Sequence, residues 1–512
     1  MSGTPSHDRE PPALIPWPGG PQALAPLAKL RPGGEYRDGR GERARLSLAR
    51  FLVELLRHLV FFVLDLTLRA TLSLLGLGAR PRDLPRSPSG SGPLALVLPI
   101  LPDLSHTFVY REVETLRALA PDALIVVLER GSPRVVHREA AALLEHAQFV
   151  PPRGVLARTA LILTTALRTP RRLRALWALS RDRDGGPAAA LLGKLPLREP
   201  RHPGRAFELA ALLRHHRPSQ IHVYGSTWSA NAALGAAQLL AIPFSISSYV
   251  DFEFDYAHQQ LATKYAQARF FRVCTRDCRA RLARRLGVPA IATEQRRVPI
   301  LHWGIDAARL RARQASPPPA LRRDRLGLFS ACRVVRKKGL HLLPPLLAEL
   351  ARRGVDARWT LVGDGEELTR LQQLAVEHGV VERCEFVGPL PNEVLLDRLA
   401  ATDVAILTCI ETADGERDGI PVFLIEAMAL GRCALSTRVS GIPEFIQDGV
   451  NGWLADATPN ALADAICRVL ADPVTARAIA ARGRETALAT QDAAASAQAL
   501  LALLDAPELR AS

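Results

Sequence analysis

The chain has 512 residues, of which 48% are apolar and 5% aromatic, and it carries a formal net charge of +15. This length exceeds what a single hydrophobic core usually supports, so we expect two large domains with tails. The positive charge favours anionic partners such as phosphorylated substrates or an acidic membrane surface. No stretch interleaves basic and aromatic residues, so no nucleic-acid partner is expected. Seven scattered cysteines, odd in number, indicate a reducing compartment.

The first 92 residues divide into three predicted segments. Residues 1–45 are rich in Pro, Gly and Arg, which predicts a disordered basic tail without the apolar core of a signal peptide. Residues 46–80 predict an amphipathic helix, followed by a linker over 81–92. The charged side chains of this helix fall on one side: Glu54, Arg57, His58, Asp65 and Arg69. Charges interrupt every window that is long enough to span a bilayer. Two interpretations stay open, a helix lying in an anionic membrane surface through residues 47–77 and a helix packed against protein.

From residue 93 the chain alternates apolar runs with helical segments in two series. The strands predicted in the first series (93–302) are residues 94–101, 123–130, 220–226, 242–249 and 271–275. Those predicted in the second series (303–485) are residues 326–332, 357–365, 384–390, 404–409 and 433–439. Continuous apolar strands that alternate with helices indicate parallel sheets covered on both faces. We therefore predict an α/β fold with two doubly wound domains facing a cleft, and a C-terminal helix and tail over 486–512.

The stretch DGIPVFLIEAMALG (418–431) places two carboxylates eight positions apart. Asp418 lies on a Gly/Pro loop, and Glu426 lies one turn into the predicted helix. A loop that opens a helix presents free backbone N–H groups to an anion, which favours a phosphate, while Glu426 can accept hydrogen bonds from sugar hydroxyls. The alternative is an acidic residue near a helix dipole with no ligand.

Two further loops follow predicted strands of the second domain. One loop reads Arg333-Val-Val-Arg-Lys-Lys338-Gly and contains four cations within six residues. Because this loop lies at a strand-to-helix turn, we interpret it as a diphosphate site rather than as a run of charges exposed to solvent. The loop FVGPL contributes Gly388 and Leu390, whose backbone can meet the edge of a nucleobase.

Together these loops resemble the glycosyltransferases of family 4, which have the two-domain GT-B fold with Rossmann-like domains. The matching motifs are HWGID (302–306), RVVRKKGL (333–340), LVGDGEEL (361–368), FVGPLPNEVL (386–395), DGIPVFLIEAMALG (418–431) and SGIPEFIQDGVNGWL (440–454). Upstream, LPILPDLSHTFVYREV (98–113) and residues 221–245 resemble the branch that builds exopolysaccharides and other cell-surface glycans.

This resemblance implies a retaining transfer of a sugar from a nucleotide-sugar to a glycan or lipid-linked acceptor. No cofactor and no obligatory metal is implied. Arg333 and Lys338 would hold the diphosphate, and Glu426 would hold the ribose. Asp418 would hold the donor sugar together with the backbone of the next four residues, which are Gly419, Ile420, Pro421 and Val422. We expect a cytoplasmic protein, with peripheral attachment to the inner face of the cytoplasmic membrane as an open alternative.

The chain departs from the family pattern at three positions. Asp418 stands where the family has a glutamate, Tyr249 where many relatives have a histidine, and His106 where relatives often have a glutamate. Tyr249 can donate a hydrogen bond to substrate, but it cannot take the protonation role of a histidine near neutral pH. We predict that Tyr249 and His106 bind substrate. The competing hypothesis is a non-catalytic GT-B protein that binds a nucleotide-sugar and scaffolds a glycan assembly complex.

Overall fold

A computed structural model of the chain describes residues 35–37, 43–45, 84–85, 91–103, 106–131, 138–153, 155–169, 201–255, 260–313, 321–413 and 415–506. The predicted helix over 46–80 and most of the predicted tail and linker lie outside these ranges. Within the tail, Glu35–Arg37 (β1) and Arg43–Arg45 (β2) pair as antiparallel strands, so these six residues differ from the predicted disorder.

The first domain contains a parallel sheet of six strands with the spatial order β5-β4-β3-β6-β7-β8. Its strands are Leu94–Leu101 (β3), Leu124–Arg130 (β4), Gln148–Phe149 (β5), Gln220–Tyr224 (β6), Phe244–Ser247 (β7) and Phe271–Arg272 (β8). The central strands are buried along nearly their whole length because helices cover both faces. The sequence pattern does not predict β5, since two residues are too short to show a periodicity.

The second domain repeats this topology with the order β11-β10-β9-β12-β13-β14, again with every pair parallel. Its strands are Leu326–Ala331 (β9), Ala357–Val362 (β10), Cys384–Gly388 (β11), Val404–Leu407 (β12), Cys433–Thr437 (β13) and Trp453–Ala455 (β14). In each sheet the strand order reverses beside the first strand, at β3/β6 and at β9/β12. Ligands of open α/β sheets bind at the carboxyl ends of strands at this reversal.

The described helices connect the strands of each sheet and cover its faces. Those of the first domain are Thr107–Leu119 (α1), Arg138–Leu144 (α2), Val155–Arg168 (α3), Arg201–His216 (α4), Trp228–Leu240 (α5), Leu261–Gln267 (α6) and Arg276–Leu286 (α7). The remainder are Ala307–Ala312 (α8), Leu343–Arg352 (α9), Leu368–Glu377 (α10), Asn392–Ala400 (α11), Val422–Ala429 (α12), Ile442–Phe445 (α13), Pro459–Ala471 (α14), Pro473–Thr490 (α15) and Ala493–Asp505 (α16). None of the described helices is both long and apolar enough to cross a membrane.

The last two helices join the domains. Helix α15 runs through the predicted boundary at residue 485 and packs on the second domain. Helix α16 returns to the first domain, where Leu500 and Leu504 are fully buried in its core. The carbonyl oxygen of Leu504 accepts hydrogen bonds from Gln220 Nε2 and Arg269 Nη1, each over 2.9 Å. The first domain is therefore completed by the end of the chain.

A buried ion pair lies at the centre of the first domain, below the cleft. Arg272 Nη1 lies 2.6 Å from Glu112 Oε1, and the Tyr224 hydroxyl donates to the same oxygen over 3.0 Å. The Arg272 guanidinium also stacks on the ring of Trp303, 4.0 Å from its centroid. This network joins β8, α1 and the segment that connects the two domains.

Candidate functional site

An ion pair between Lys338 and Asp418 forms the centre of the candidate site. Lys338 ends the single helical turn Arg336–Lys338 after β9, and Asp418 precedes α12. Lys338 Nζ lies 2.5 Å from Asp418 Oδ2, and Lys337 Nζ lies 3.5 Å from Oδ1. Each carboxylate oxygen thus faces an ammonium group. The structure brings the predicted residues 338 and 418 together, and it adds Lys337, which the sequence placed in the basic run without a role.

Both partners of this pair are ionised at neutral pH. Burial on its own would raise the pKa of Asp418, but Lys338 and Lys337 lower it to about 2. Burial likewise opposes the charge of Lys338, but the neighbouring Asp418 raises the pKa of that ammonium group above its usual value. The Cys409 thiol donates to Asp418 Oδ2 over 3.7 Å, and burial raises the pKa of that thiol well above its usual value. All seven cysteines are free thiols.

Gly339 and Thr408 hold the Lys338 turn against the end of β12. Gly339 has φ +64°, and a Cβ at this position would collide with the carbonyl oxygen of Thr408. The Thr408 hydroxyl donates to the carbonyl oxygen of Gly339 over 2.7 Å. A glycine is required here because both the backbone angle and the close approach exclude a side chain.

Arg333 is an exposed cation of the site. It lies just after β9, and its side chain is open to solvent, whereas Lys337 is buried and Lys338 is largely so. Its charge acts on two other predicted site residues, because it helps to lower the pKa of both Asp418 and His106. Arg333 therefore lies between the two halves of the cleft.

Glu426 lies on α12 with 8% of its surface exposed. Burial raises the pKa of its carboxyl group, and the charges of Arg111 and Arg309 partly oppose this shift. Arg111 comes from α1 of the first domain, and its Nη1 donates to the carbonyl oxygen of Gly304 over 3.2 Å. Sequence reasoning did not predict that the charge of Arg111 acts on Glu426, because the two residues belong to different domains.

The other predicted loops lie along the carboxyl edge of the second sheet. Gly388 has φ +79° and ends β11, two strands away from β9 in the sheet, and Leu390 follows it with a partly buried side chain. Gly419 and Ile420 lead from Asp418 to Pro421, which precedes the first residue of α12, Val422. No side chain caps this helix, so its first-turn N–H groups can face an anion.

On the opposite wall, His106 and Tyr249 pack against each other with ring centroids 4.9 Å apart. His106 precedes α1, and its Nδ1 lies 3.8 Å from Asp103 Oδ1. The Tyr249 hydroxyl and His106 Nδ1 are buried and have no hydrogen-bond partner among the described residues. Burial lowers the pKa of His106, so its ring is neutral at neutral pH. Both atoms therefore have unused hydrogen-bonding capacity, although neither is exposed in this arrangement.

A buried carboxylate that the sequence did not single out fixes the loop of Tyr249. Glu253 Oε2 accepts hydrogen bonds from the backbone N–H of Ser226 over 3.1 Å, from its hydroxyl over 2.5 Å, and from the Ser248 hydroxyl over 3.1 Å. Lys264 Nζ donates to the carbonyl oxygen of Ser226 over 2.5 Å. The loops after β6 and β7 are thereby held together beside the cleft.

The described residues include no group of three or more His, Cys, Asp or Glu side chains that could hold a metal ion.

The motifs around Lys338, Asp418 and Glu426 lie in a region that matches a known family. Residues 314–486, which span most of the second domain, match the family model Glycosyl transferases group 1. The solved structure of HepE from Anabaena is similar over 80% of this chain and 99% of that chain, with a TM-score of 0.56 and 14% identity. This similarity confirms the predicted GT-B fold.

Two curated relatives are similar in part of their sequences. WcaL of Salmonella typhimurium, named for colanic acid biosynthesis, is 34% identical over 158 residues, which are 31% of this chain and 38% of that protein. A GDP-mannose-dependent phosphatidylinositol monomannoside mannosyltransferase of Mycolicibacterium smegmatis is 33% identical over 225 residues, which are 42% of this chain and 56% of that protein. The matched regions thus span between about a third and about half of these relatives.

Proposed function

We propose that the protein is a glycosyltransferase that moves a sugar from a nucleotide-sugar to an acceptor of polysaccharide biosynthesis. The observation that carries this proposal is the Lys338–Asp418 pair, with Lys337 and the exposed Arg333, at the strand reversal of a glycosyl transferases group 1 domain. The names of the relatives include exopolysaccharide transferases, which supports the acceptor class. HepE has been solved with UDP, which supports a nucleoside diphosphate as the leaving group.

In the proposed reaction, the bond from the anomeric carbon of the sugar to the diphosphate breaks while an acceptor hydroxyl oxygen bonds to the same carbon. The hydroxyl proton passes to the departing diphosphate. Negative charge develops on that diphosphate, and Arg333 and Lys338 lie where fixed cations lower the barrier. Asp418 orients the donor sugar, and Glu426 accepts hydrogen bonds from the ribose hydroxyls.

Retention of configuration and independence from a metal are parts of this proposal. Arg333, Lys337 and Lys338 carry three positive charges against the one negative charge of Asp418, and this excess supports binding of the diphosphate without a divalent ion. Tyr249 and His106 would contact the reacting sugar or the acceptor from the first domain. Gly388 and Leu390, about 10 Å away across two strand spacings, would contact the base.

We further propose peripheral attachment to an anionic membrane surface on the cytoplasmic side, where a lipid-linked acceptor would be presented. The net charge of +15 supports attraction to acidic lipid. Helix α3 also exposes apolar side chains, since Leu163 is 56% and Leu167 83% exposed. Exposed Arg153 and Arg168 lie at the two ends of this helix. Leucines between basic residues suit an interface between headgroups and acyl chains.

A donor screen tests the proposed function. The purified protein would be mixed with UDP-, GDP- and ADP-sugars, and the donor that raises the melting temperature would be incubated with membrane lipid extract. We expect one donor to stabilise the protein and to release its nucleoside diphosphate when the extract is present. Absence of both binding and turnover would overturn the proposal. Binding without transfer or hydrolysis would instead favour the non-catalytic scaffold.

A further inference from the structure

The two domains meet at the N-terminus of α7, where a carboxylate of the second domain caps a helix of the first. Glu444 Oε2 accepts a hydrogen bond from the backbone N–H of Arg276 over 2.7 Å, and Oε1 accepts one from Asp277 over 2.6 Å. The helix caps its next amide itself, since Thr275 Oγ1 accepts from Cys278 N over 3.0 Å. Hydrogen bonds from helix-end amides to a carboxylate are charge-assisted and also favoured by the helix dipole.

Two glycines let the backbone of the second domain approach side chains of the first domain beside this carboxylate. A Cβ on Gly441 would collide with the side chain of Thr275, so the loop after β13 packs directly on the start of α7. A Cβ on Gly419 would lie 3.5 Å from Cys274 Sγ and 3.9 Å from Val250 Cγ1. Gly419 adjoins Asp418, and Val250 adjoins Tyr249. The contact at Glu444 is therefore continuous with the contact that sets the donor-binding loop opposite Tyr249.

We propose that Glu444 is a positioning residue that holds the donor-binding loop against the first domain. Domains of one chain move relative to each other unless specific contacts fix them, and Glu444 supplies two charge-assisted hydrogen bonds across this boundary. When the Glu444 carboxylate is removed, the two domains spend less time in the arrangement that places Asp418 opposite Tyr249. The effect on catalysis rests on the proposed function, whereas the effect on the domain arrangement does not.

A disulfide across the boundary measures the domain arrangement without any substrate. In a Gly419→Cys variant the new thiol lies within reach of the native Cys274, because the Cβ position is 3.5 Å from Cys274 Sγ. Mild oxidation should link residues 274 and 419, as identified by mass spectrometry of the cleaved protein. We expect Glu444→Ala in this background to slow cross-linking about tenfold, the effect of losing hydrogen bonds to one charged group. Glu444→Gln, which keeps one acceptor oxygen, should have a smaller effect.

Glu349→Gln is the matched control, because Glu349 pairs with Arg352 and Arg353 inside the second domain. It should leave the cross-linking rate unchanged. Equal rates with and without Glu444→Ala would overturn the positioning role, whatever the enzyme activity.

Steady-state kinetics with Cys274 and Gly419 intact give the second readout. If a donor draws the domains together, Glu444→Ala should raise the KM for donor about tenfold and lower kcat far less, since saturating donor restores the closed arrangement. A loss of kcat at unchanged KM, accompanied by a lower melting temperature, would show a structural role alone and would contradict the inference. If the wild-type protein turns over no donor, the proposed function fails while the cross-linking result still stands.

Discussion

At the residue scale, variants of the Lys338–Asp418 pair can distinguish its contribution to stability from its contribution to sugar transfer. Both side chains are 13% exposed, so Lys338→Met leaves a largely buried carboxylate with Lys337 at 3.5 Å as its main partner. Breaking a buried pair costs about 3–5 kcal/mol, whereas replacing both partners by apolar groups is often neutral. We therefore expect Lys338→Met to lower the free energy of unfolding and Lys338→Met/Asp418→Leu to recover part of it, since Lys337 still loses its contact with Asp418. Urea unfolding measures both.

The same two variants should both lose sugar transfer by at least about a hundredfold, because a fixed charge that stabilises a leaving group contributes on this scale. Recovery of activity together with stability in the double variant would show that the pair is structural only.

Protonation of Glu426 should determine how donor affinity falls at acidic pH. Burial raises the pKa of its carboxyl group, so this group gains a proton at a higher pH than an exposed glutamate would. The ionised form accepts hydrogen bonds on both oxygens and more strongly than the protonated form, so donor affinity should fall as the pH drops through this raised pKa. Asp418, with a pKa of about 2, stays ionised over the same range. Donor titration by calorimetry from pH 4 to pH 8 should show this loss in the wild type and a flat profile in Glu426→Gln. The same pH dependence in both proteins would remove Glu426 from the donor site.

Tyr249 offers a test in which stability and function are expected to diverge. Its hydroxyl is buried without a partner among the described residues, so Tyr249→Phe removes an unsatisfied polar group and should not lower the melting temperature. If the hydroxyl donates to substrate, the variant should lose about tenfold in kcat/KM, the value of about one hydrogen bond. Unchanged kinetics would assign Tyr249 to packing with His106 and Phe108 instead.

At the scale of elements, the sequence predicted most of the structure that carries the proposed donor site. Strands β9, β11 and β12 are apolar runs, and the loops after them have recognisable glycines and cations, so local pattern was sufficient. It was not sufficient for Glu253, which accepts hydrogen bonds from Ser226, 27 residues away, or for Arg111, whose charge acts on Glu426 of the other domain. A glutamate in a helical or loop pattern has no local mark of burial. Such contacts depend on how elements pack, which periodicity does not encode.

Substitutions in helix α16 test whether this helix belongs to the first domain. Leu500 is fully buried there, so Leu500→Ala should lower the free energy of unfolding of that domain by about 2–5 kcal/mol. Gln498→Ala, at an exposed position on the same helix, is the control and should change stability little. Hydrogen exchange followed by mass spectrometry would locate the effect. Faster exchange in β6 and α1 is expected for Leu500→Ala, and faster exchange confined to the second domain would contradict the assignment.

At the scale of the whole molecule, two sheets of identical strand order are joined by a chain that crosses between them twice. The first connection passes Trp303, and the second lies between α15 and α16. Two hydrogen bonds join them: Ile305 N donates to Gln491 O over 2.8 Å, and Ala493 N donates to Ile305 O over 2.9 Å. The crossing strands are thus hydrogen-bonded to each other. This pairing ties the two connections between the domains to each other.

The charge and the exposed face of α3 together predict a salt-dependent membrane association of the full chain. We expect binding to vesicles of mixed anionic and zwitterionic lipid, weakened by higher salt because exposed charges are screened. Replacing both Leu163 and Leu167 by Ser should weaken binding by about tenfold or more, since each leucine can bury apolar surface in the lipid. Val376→Ser, at a position 68% exposed on the second domain, is the control.

Flotation with vesicles measures the binding of all three proteins. If the leucine variant binds like the wild type while binding stays salt-dependent, α3 is not the contact and the predicted membrane segment at 47–77 becomes the candidate. Without binding to anionic vesicles at low salt, the peripheral attachment proposed for this protein fails.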